Sequence, residues 1–137
     1  AGVIASAVES VGADALTLRM IVTGPDVEVL RTSDWVKVIG DRPEGLEIEM
    51  PRYRALTDLL LHRMSRLNLV ILEMAGNDDV MFTAIGTMRE HPSAIFSFSR
   101  QGYDDYRHLF VVKTRDLLSA LDDQRTEGLI VEHVHDY

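Results

Sequence analysis

A strand–helix–strand pattern that occurs twice, at residues 46–74 and 108–135, constrains the fold more than any other feature of this chain. In the first unit Leu46, Ile48 and Met50 alternate with glutamates, and this period of two predicts a half-buried strand. Apolar side chains at helical spacing follow, and the run LVILEMA then closes the unit as a buried strand. A crossover of this kind joins parallel strands and lays its helix on one face of the sheet.

The helices of the two units are bounded by ordinary start and stop signals. Pro51 is expected at the first position of the first helix, which is predicted over 52–67. Thr114 is expected to cap the second helix, and Gly128 to end it. The apolar stripe of the first helix consists of Tyr53, Leu56, Leu60, Met64 and Leu67. The final strand is LIVEHVH.

Two such units joined through hairpin strands predict an α+β fold of the ferredoxin-like, split βαβ type, with helices on one mainly antiparallel sheet and extra N-terminal strands. We expect a single domain over 1–137, with an N-terminal helix and strands in 1–43 and the two units in 44–137. No internal sequence repeat is visible, and no motif identifies a family.

The connecting segments give further expectations. The spacing of apolar residues at 4–11 predicts a short helix closed by Gly12. The stretch 27–39 favours two short strands broken near Ser33, and a helix opened by Pro25 is the alternative. The turn GNDD at 76–79 predicts a hairpin between LVILEMA and VMFTAIGTM.

Composition excludes several classes of protein. The formal net charge of −8 disfavours a nucleic acid or an anionic membrane surface as partner. The absence of cysteine excludes disulfides, thiolate zinc sites and a cysteine nucleophile. No apolar stretch reaches the roughly 20 residues that span a bilayer, and the N-terminus has no basic signal-peptide region. These features favour a soluble protein, which we expect in the cytoplasm.

The candidate metal site is centred on two histidines near the end of the sequence. On a strand, His133 and His135 point to the same face with Cβ atoms about 7 Å apart, so two imidazoles can chelate one ion. Zinc needs a third protein ligand, for which His108, His91 or a carboxylate is a candidate. The competing interpretation is the solvated end of a terminal strand. Apart from this divalent metal, the sequence predicts no cofactor.

A basic cluster lies on the first helix in an otherwise acidic chain. Arg52, Arg63 and Arg66 fall within about 60° of one another on a helical wheel and can hold a small anionic ligand bidentately. The competing interpretation is a solvated face. Trp35, the single tryptophan, is a core anchor or marks a partner surface.

Two functions remain open. Because HExxH, GxSxG, Walker and GxGxxG motifs are missing, the sequence favours a non-enzymatic binding or regulatory module that forms a homodimer and binds a small anion or a protein. The alternative is a metal-binding protein or small metal-dependent enzyme centred on His133 and His135.

Overall fold

The computed structural model describes residues 16–135, so the predicted helix at 4–12 lies outside the described residues. Within them the chain forms two four-stranded antiparallel sheets and three α-helices. The first sheet consists of β1 (Thr17–Thr23), β2 (Lys37–Asp41), β3 (Leu46–Pro51) and β4 (Val70–Met74). The second consists of β5 (Asp79–Gly86), β6 (Phe96–Ser99), β7 (Tyr106–Lys113) and β8 (Ile130–His135). The helices are α1 (Val27–Leu30), α2 (Tyr53–His62) and α3 (Leu117–Thr126).

The two sheets have the same topology. Their strand orders are β2–β3–β1–β4 and β6–β7–β5–β8, and every neighbouring pair is antiparallel. In each sheet the third and fourth strands flank the first strand, run parallel to each other and are joined through a helix. Each sheet therefore contains one split βαβ unit. The first strand of the sheet lies between the two parallel strands of this unit, and the second strand pairs beside the third at the edge.

The strand registers show that this likeness extends to single residues. Met20 lies opposite Ile48 in the first sheet, and Phe82 lies opposite Phe110 in the second. The register shifts after Ile21 in the pairing of β1 with β4, and the pairing of β5 with β8 shifts at the corresponding place. The described chain is thus a structural duplication that its sequence does not reveal.

The ferredoxin-like arrangement is not confirmed, because the two units lie in separate sheets. After β4, Ala75 and Gly76 have φ angles of 53° and 82°, and only an isolated bridge joins Met74 to Asn77. The chain turns into β5, which pairs with β7 and β8. The predicted hairpin between β4 and β5 is therefore wrong: this turn carries the chain from one sheet to the other.

Two local predictions also need correction. In 27–39 the first half is the single helical turn α1, which agrees with the alternative of a helix opened by Pro25, and only the second half contributes a strand, β2. The carboxylate of Asp26 accepts a hydrogen bond from the Asn68 amide at 2.7 Å, and the Asp26 amide donates to the Asn68 carbonyl at 3.3 Å. These contacts hold the chain in a turn where residue alternation alone predicts a strand. Pro51 is not in a helix; it ends β3, opposite Thr17.

The predicted start and end of the second helix are partly correct. Gly128 follows α3 with a φ of 89°, as a helix-ending glycine should. Thr114 does not cap α3, because it begins a 3₁₀ turn (Thr114–Asp116) that precedes the helix. Of the predicted stripe on α2, Leu56 and Leu60 are buried, but Tyr53 is exposed.

The edge strands β4 and β8 are each covered by the other half of the chain. Helix α2 packs against β8, and the buried Thr57 hydroxyl accepts a hydrogen bond from the Val134 amide at 3.1 Å. The 3₁₀ turn before α3 packs against β4, and the Thr114 hydroxyl donates to the Leu72 carbonyl at 2.9 Å. Because unpaired backbone groups at a buried edge are costly, these contacts join the two sheets.

One hydrophobic cluster contains the buried apolar side chains of both sheets. Phe82 and Phe110 stack within it, with ring centroids 4.7 Å apart. No helix within residues 16–135 has both the length and the hydropathy that crossing a bilayer requires.

Replacing Thr57 by valine should test the covering of β8. The side chains have similar shapes, but valine leaves the buried Val134 amide without its acceptor. We expect the free energy of unfolding to fall by about 1–3 kcal/mol, measured by urea denaturation. Thr126→Val, at an exposed helix position, is the control and should change it by less than about 0.5 kcal/mol. Equal effects for the two variants would contradict the assigned role of Thr57.

Candidate functional site

The outer face of the second sheet is apolar and exposed. Register places Phe96, Phe98, Val111 and Ile130 on the face opposite the core, and between 44% and 69% of each residue is accessible to solvent. The corresponding face of the first sheet carries charged side chains instead, namely Arg19, Lys37, Glu47, Glu49 and Glu73. The two outer faces therefore differ: the first carries mainly charged side chains, and the second carries more exposed apolar ones.

An ion pair crosses the middle of the apolar face. The Arg107 guanidinium donates to both carboxylate oxygens of Glu132, at 2.6 and 2.5 Å, and the Thr83 hydroxyl donates to the same carboxylate at 3.0 Å. The hydrogen bonds from Arg107, more than that from Thr83, hold the pKa of Glu132 below its usual value although partial burial opposes the shift. The face thus has a fixed, charge-balanced centre.

The predicted metal ligands do not converge. His133 and His135 lie on the outer face beside each other, with ring centroids 4.4 Å apart. His108 lies on the core face of β7, opposite Ala84, so the sheet separates it from the other two. Among residues 16–135, no group of three histidine or carboxylate side chains is placed to hold a metal ion.

The predicted anion site is also spread out. Arg52 precedes α2, Arg63 follows it, and Arg66 lies in the next 3₁₀ turn. A ten-residue helix is about 15 Å long, so Arg52 is too far from the other two to share a small anion with them. Trp35 is half-buried and packs against the hydrophobic cluster, as a core anchor does.

His91 and His108, which the sequence offers only as candidate third metal ligands, form a buried pair that sequence reasoning did not predict. The rings of His91 and His108 lie 5.8 Å apart between centroids, and both residues are buried in the core of the second sheet. Nδ1 of His91 accepts a hydrogen bond from the Ser93 amide at 3.1 Å, so its proton is on Nε2, which lies 2.8 Å from the Glu127 carboxylate. His91 thereby ties the segment after β5 to the end of α3.

His108 is the less satisfied member of the pair. Its Nδ1 lies 2.7 Å from the Ser97 hydroxyl, whereas its Nε2 is buried without a hydrogen-bond partner of normal geometry. Burial is the main cause that lowers the pKa of His108, and the neighbouring His91 adds to the shift; a hydrogen bond between His108 and the backbone of Met88 opposes both. The imidazole is therefore kept neutral at neutral pH.

The duplication shows how unusual this pair is. His108 corresponds in register to Leu46 of the first sheet, which is buried and apolar. Each segment that joins the first two strands of a sheet has one buried residue, and these are Leu30 and His91. Two leucines in the first half are thus matched by two histidines in the second. The signal is visible in the sequence only as a histidine at an inward position of an alternating strand.

Comparison with known proteins gave no match to any family model, curated protein or solved structure.

The low pKa of His108 predicts acid sensitivity of the fold. Below about pH 6.5 the unfolded chain takes up a proton that the folded chain does not, so the free energy of unfolding should fall by up to about 1.4 kcal/mol per pH unit. The loss should continue down to the folded pKa. It can be measured by urea denaturation between about pH 7.5 and 5.5.

His108→Leu, which copies Leu46 of the first half, should remove part of this pH dependence. His62→Leu, at an exposed position of α2, is the control and should preserve it. The carboxylate of Glu132 contributes to the pH dependence only in a lower pH range. Its stabilisation of the fold is lost only as the pH falls below the ordinary glutamate pKa of 4.5. A pH profile unchanged by His108→Leu would show that this imidazole does not titrate as described.

Proposed function

We propose that this chain is a non-enzymatic binding module that pairs with a second copy through the outer face of its second sheet. The observation that carries the proposal is the exposed apolar surface of Phe96, Phe98, Val111 and Ile130. Large exposed apolar side chains gathered on one sheet face are typical of interaction surfaces. A two-fold axis through such a face brings the same side chains of both copies together.

Charge favours a second copy as the occupant of this face. The chain has a net charge of −8, so two copies repel each other over most of their surfaces. On the outer face, by contrast, Arg107 is paired with Glu132, and Lys113 lies 3.0 Å from Asp79. Because these charges occur in opposite pairs, two copies can meet here with little repulsion.

The size of the face is typical of weak, reversible pairing. Four strands about 4.8 Å apart and up to eight residues long cover about 500 Å². Two copies would then bury about 1,000 Å², which is the lower limit for a specific interface. We therefore expect a reversible dimer with a dissociation constant on the order of micromolar.

Val111→Glu should abolish this dimer. It places an unpaired carboxylate in the middle of the contact, opposite Met81 on β5, without touching the core. Sedimentation equilibrium across a wide concentration range should show association for the unmodified chain and a monomer for the variant.

Val70→Glu is the matched control, because Val70 is a similarly exposed strand valine of the first sheet. This variant should associate like the unmodified chain. If the unmodified chain stays a monomer at about 100 times the expected dissociation constant, the proposal fails.

A second candidate function is metal binding at His133 and His135, and the 4.4 Å between their ring centroids favours it. Two imidazoles on one strand face can chelate one zinc ion, with solvent or another chain completing the coordination. Zinc should then raise the melting temperature, because a ligand of the native state stabilises it.

The zinc effect should disappear in His133→Gln and persist in His62→Gln, which changes an exposed histidine outside the pair. Differential scanning calorimetry with and without zinc measures it. An equal zinc response in both variants would rule out a site at His133 and His135.

A further inference from the structure

Ser97 and His108 are arranged as a hydroxyl nucleophile and its general base. The Oγ of Ser97 lies 2.7 Å from Nδ1 of His108. A nucleophile and its base are joined by a hydrogen bond of about 2.6–3.2 Å, with the base oriented by a third group. Ser97 is only half-buried, whereas His108 has no exposed surface. The hydroxyl is therefore accessible, and the imidazole behind it is shielded from water.

The backbone of Met88 orients the imidazole of His108. Burial lowers the pKa of His108, and a hydrogen bond with the Met88 backbone opposes this shift, as an acceptor for a ring N–H does. Because Nδ1 faces Ser97, the contact with Met88 belongs to Nε2, although its geometry lies outside the normal range. The proton is therefore on Nε2, and the unprotonated Nδ1 accepts the hydrogen bond from the Ser97 hydroxyl.

A cleft of about 360 Å³ lies beside Ser97. Its lining consists of three residues of the edge strand β6, Tyr106 of β7, and Arg89 and Glu90 of the segment between β5 and β6. The volume is roughly ten times that of a water molecule in the liquid. A small ester therefore has room next to the Ser97 hydroxyl.

The backbone N–H of Ser97 is a second group that acyl transfer can use. The Arg100 amide donates to the Asp105 carbonyl at 3.2 Å and so continues the ladder between β6 and β7. Since backbone groups alternate between the two sides of a strand, the Ser97 N–H points away from β7. Strand β6 is the edge of its sheet, so no described strand pairs with this N–H. It is available to negative charge that develops on a carbonyl oxygen beside Ser97.

The first half of the chain has no such pair at the corresponding place. In register, Leu46 and Asp41 occupy the positions of His108 and Ser97. Leu46 cannot act as a base, and the Asp41 carboxylate is paired with Arg31. A buried imidazole is less favourable in a core than a leucine. The second half thus differs from the first by a nucleophile and a base at one point of a common framework.

We propose that Ser97 is a nucleophilic serine that takes an acyl group from an activated ester bound in this cleft. Oγ forms a bond to the ester carbonyl carbon while its proton passes to Nδ1 of His108. The bond between that carbon and the leaving oxygen then breaks, and the imidazolium returns the proton to this oxygen. Each chain reacts once, so Ser97 is a modification site of the binding module proposed above, and its reaction does not depend on dimerisation.

Reaction of the full chain with p-nitrophenyl acetate tests the proposal, with mass spectrometry of fragments locating the acetyl group. A positioned general base accelerates such a step about 10²–10⁴-fold, so Ser97 should be acetylated at least about a hundredfold faster than Ser99. Ser99 is the internal control. It lies on the same face of β6 and lines the same cleft, but its cross-strand partner is Tyr106 instead of a histidine.

Two variants separate the roles of the nucleophile and the base. Ser97→Ala should remove the rapid release of nitrophenolate, and His108→Leu should slow acetylation of Ser97 at least about a hundredfold. His62→Leu, at an exposed position of α2, is the matched control and should leave acetylation of Ser97 unchanged. Val111→Glu should also react like the unmodified chain, which separates this result from the test of dimerisation.

The comparison of Ser97 with Ser99 needs only the unmodified chain, so it tests the proposal even if a variant fails to fold. The proposal is overturned if Ser97 is acetylated no faster than Ser99. It is equally overturned if Ser97 of a folded His108→Leu chain is acetylated as fast as Ser97 of the unmodified chain.

Discussion

The backbone N–H and C=O groups on the unpaired edges of strands β4 and β8 are the constraint that shapes the rest of this molecule. Each strand pairs on one side only, and its other side faces the second half of the chain. Thr57 accepts from β8, and Thr114 donates to β4, so each half completes the edge of the other. Leaving a backbone N–H or C=O group unpaired in the interior costs more free energy than a hydrogen bond at the surface contributes. Reciprocal covering therefore makes two small sheets share one hydrophobic cluster.

The duplicated framework explains why the second half carries the candidate sites. Strand order, directions and the register shift are common to both halves, but the side chains differ at equivalent places. In the first half, charged side chains lie on the outer face of the sheet, and Leu30 and Leu46 are buried. The second presents apolar side chains outward and the histidines His91 and His108 inward. A polar interior and an apolar exterior both cost folding free energy, so the second half is less optimised for stability at these places than the first.

The sequence predicts the strands well and their partners poorly. The alternation of Leu46, Ile48 and Met50 with glutamates correctly predicts β3, because the period of side chains along a strand is a local property. The predicted hairpin at 76–79 is wrong because the sequence of a turn does not say whether its flanking strands pair with each other. His133 and His135 share one strand face as predicted, but His108 lies across the sheet from them. The segment around His91 has the sequence of a turn, so nothing local marks this histidine as buried.

Local elements follow from the residues alone: where most strands run, which of their faces is apolar, that Gly128 ends α3, and that the chain is acidic and free of cysteine. Three features required the folded chain: the division of the described residues into two sheets, the repetition of the halves, and the meeting of His108 with His91 and Ser97. The reason is physical. Periodicity depends on neighbours along the chain, whereas pairing and burial depend on residues far apart in sequence, whose contacts form only when the chain has packed.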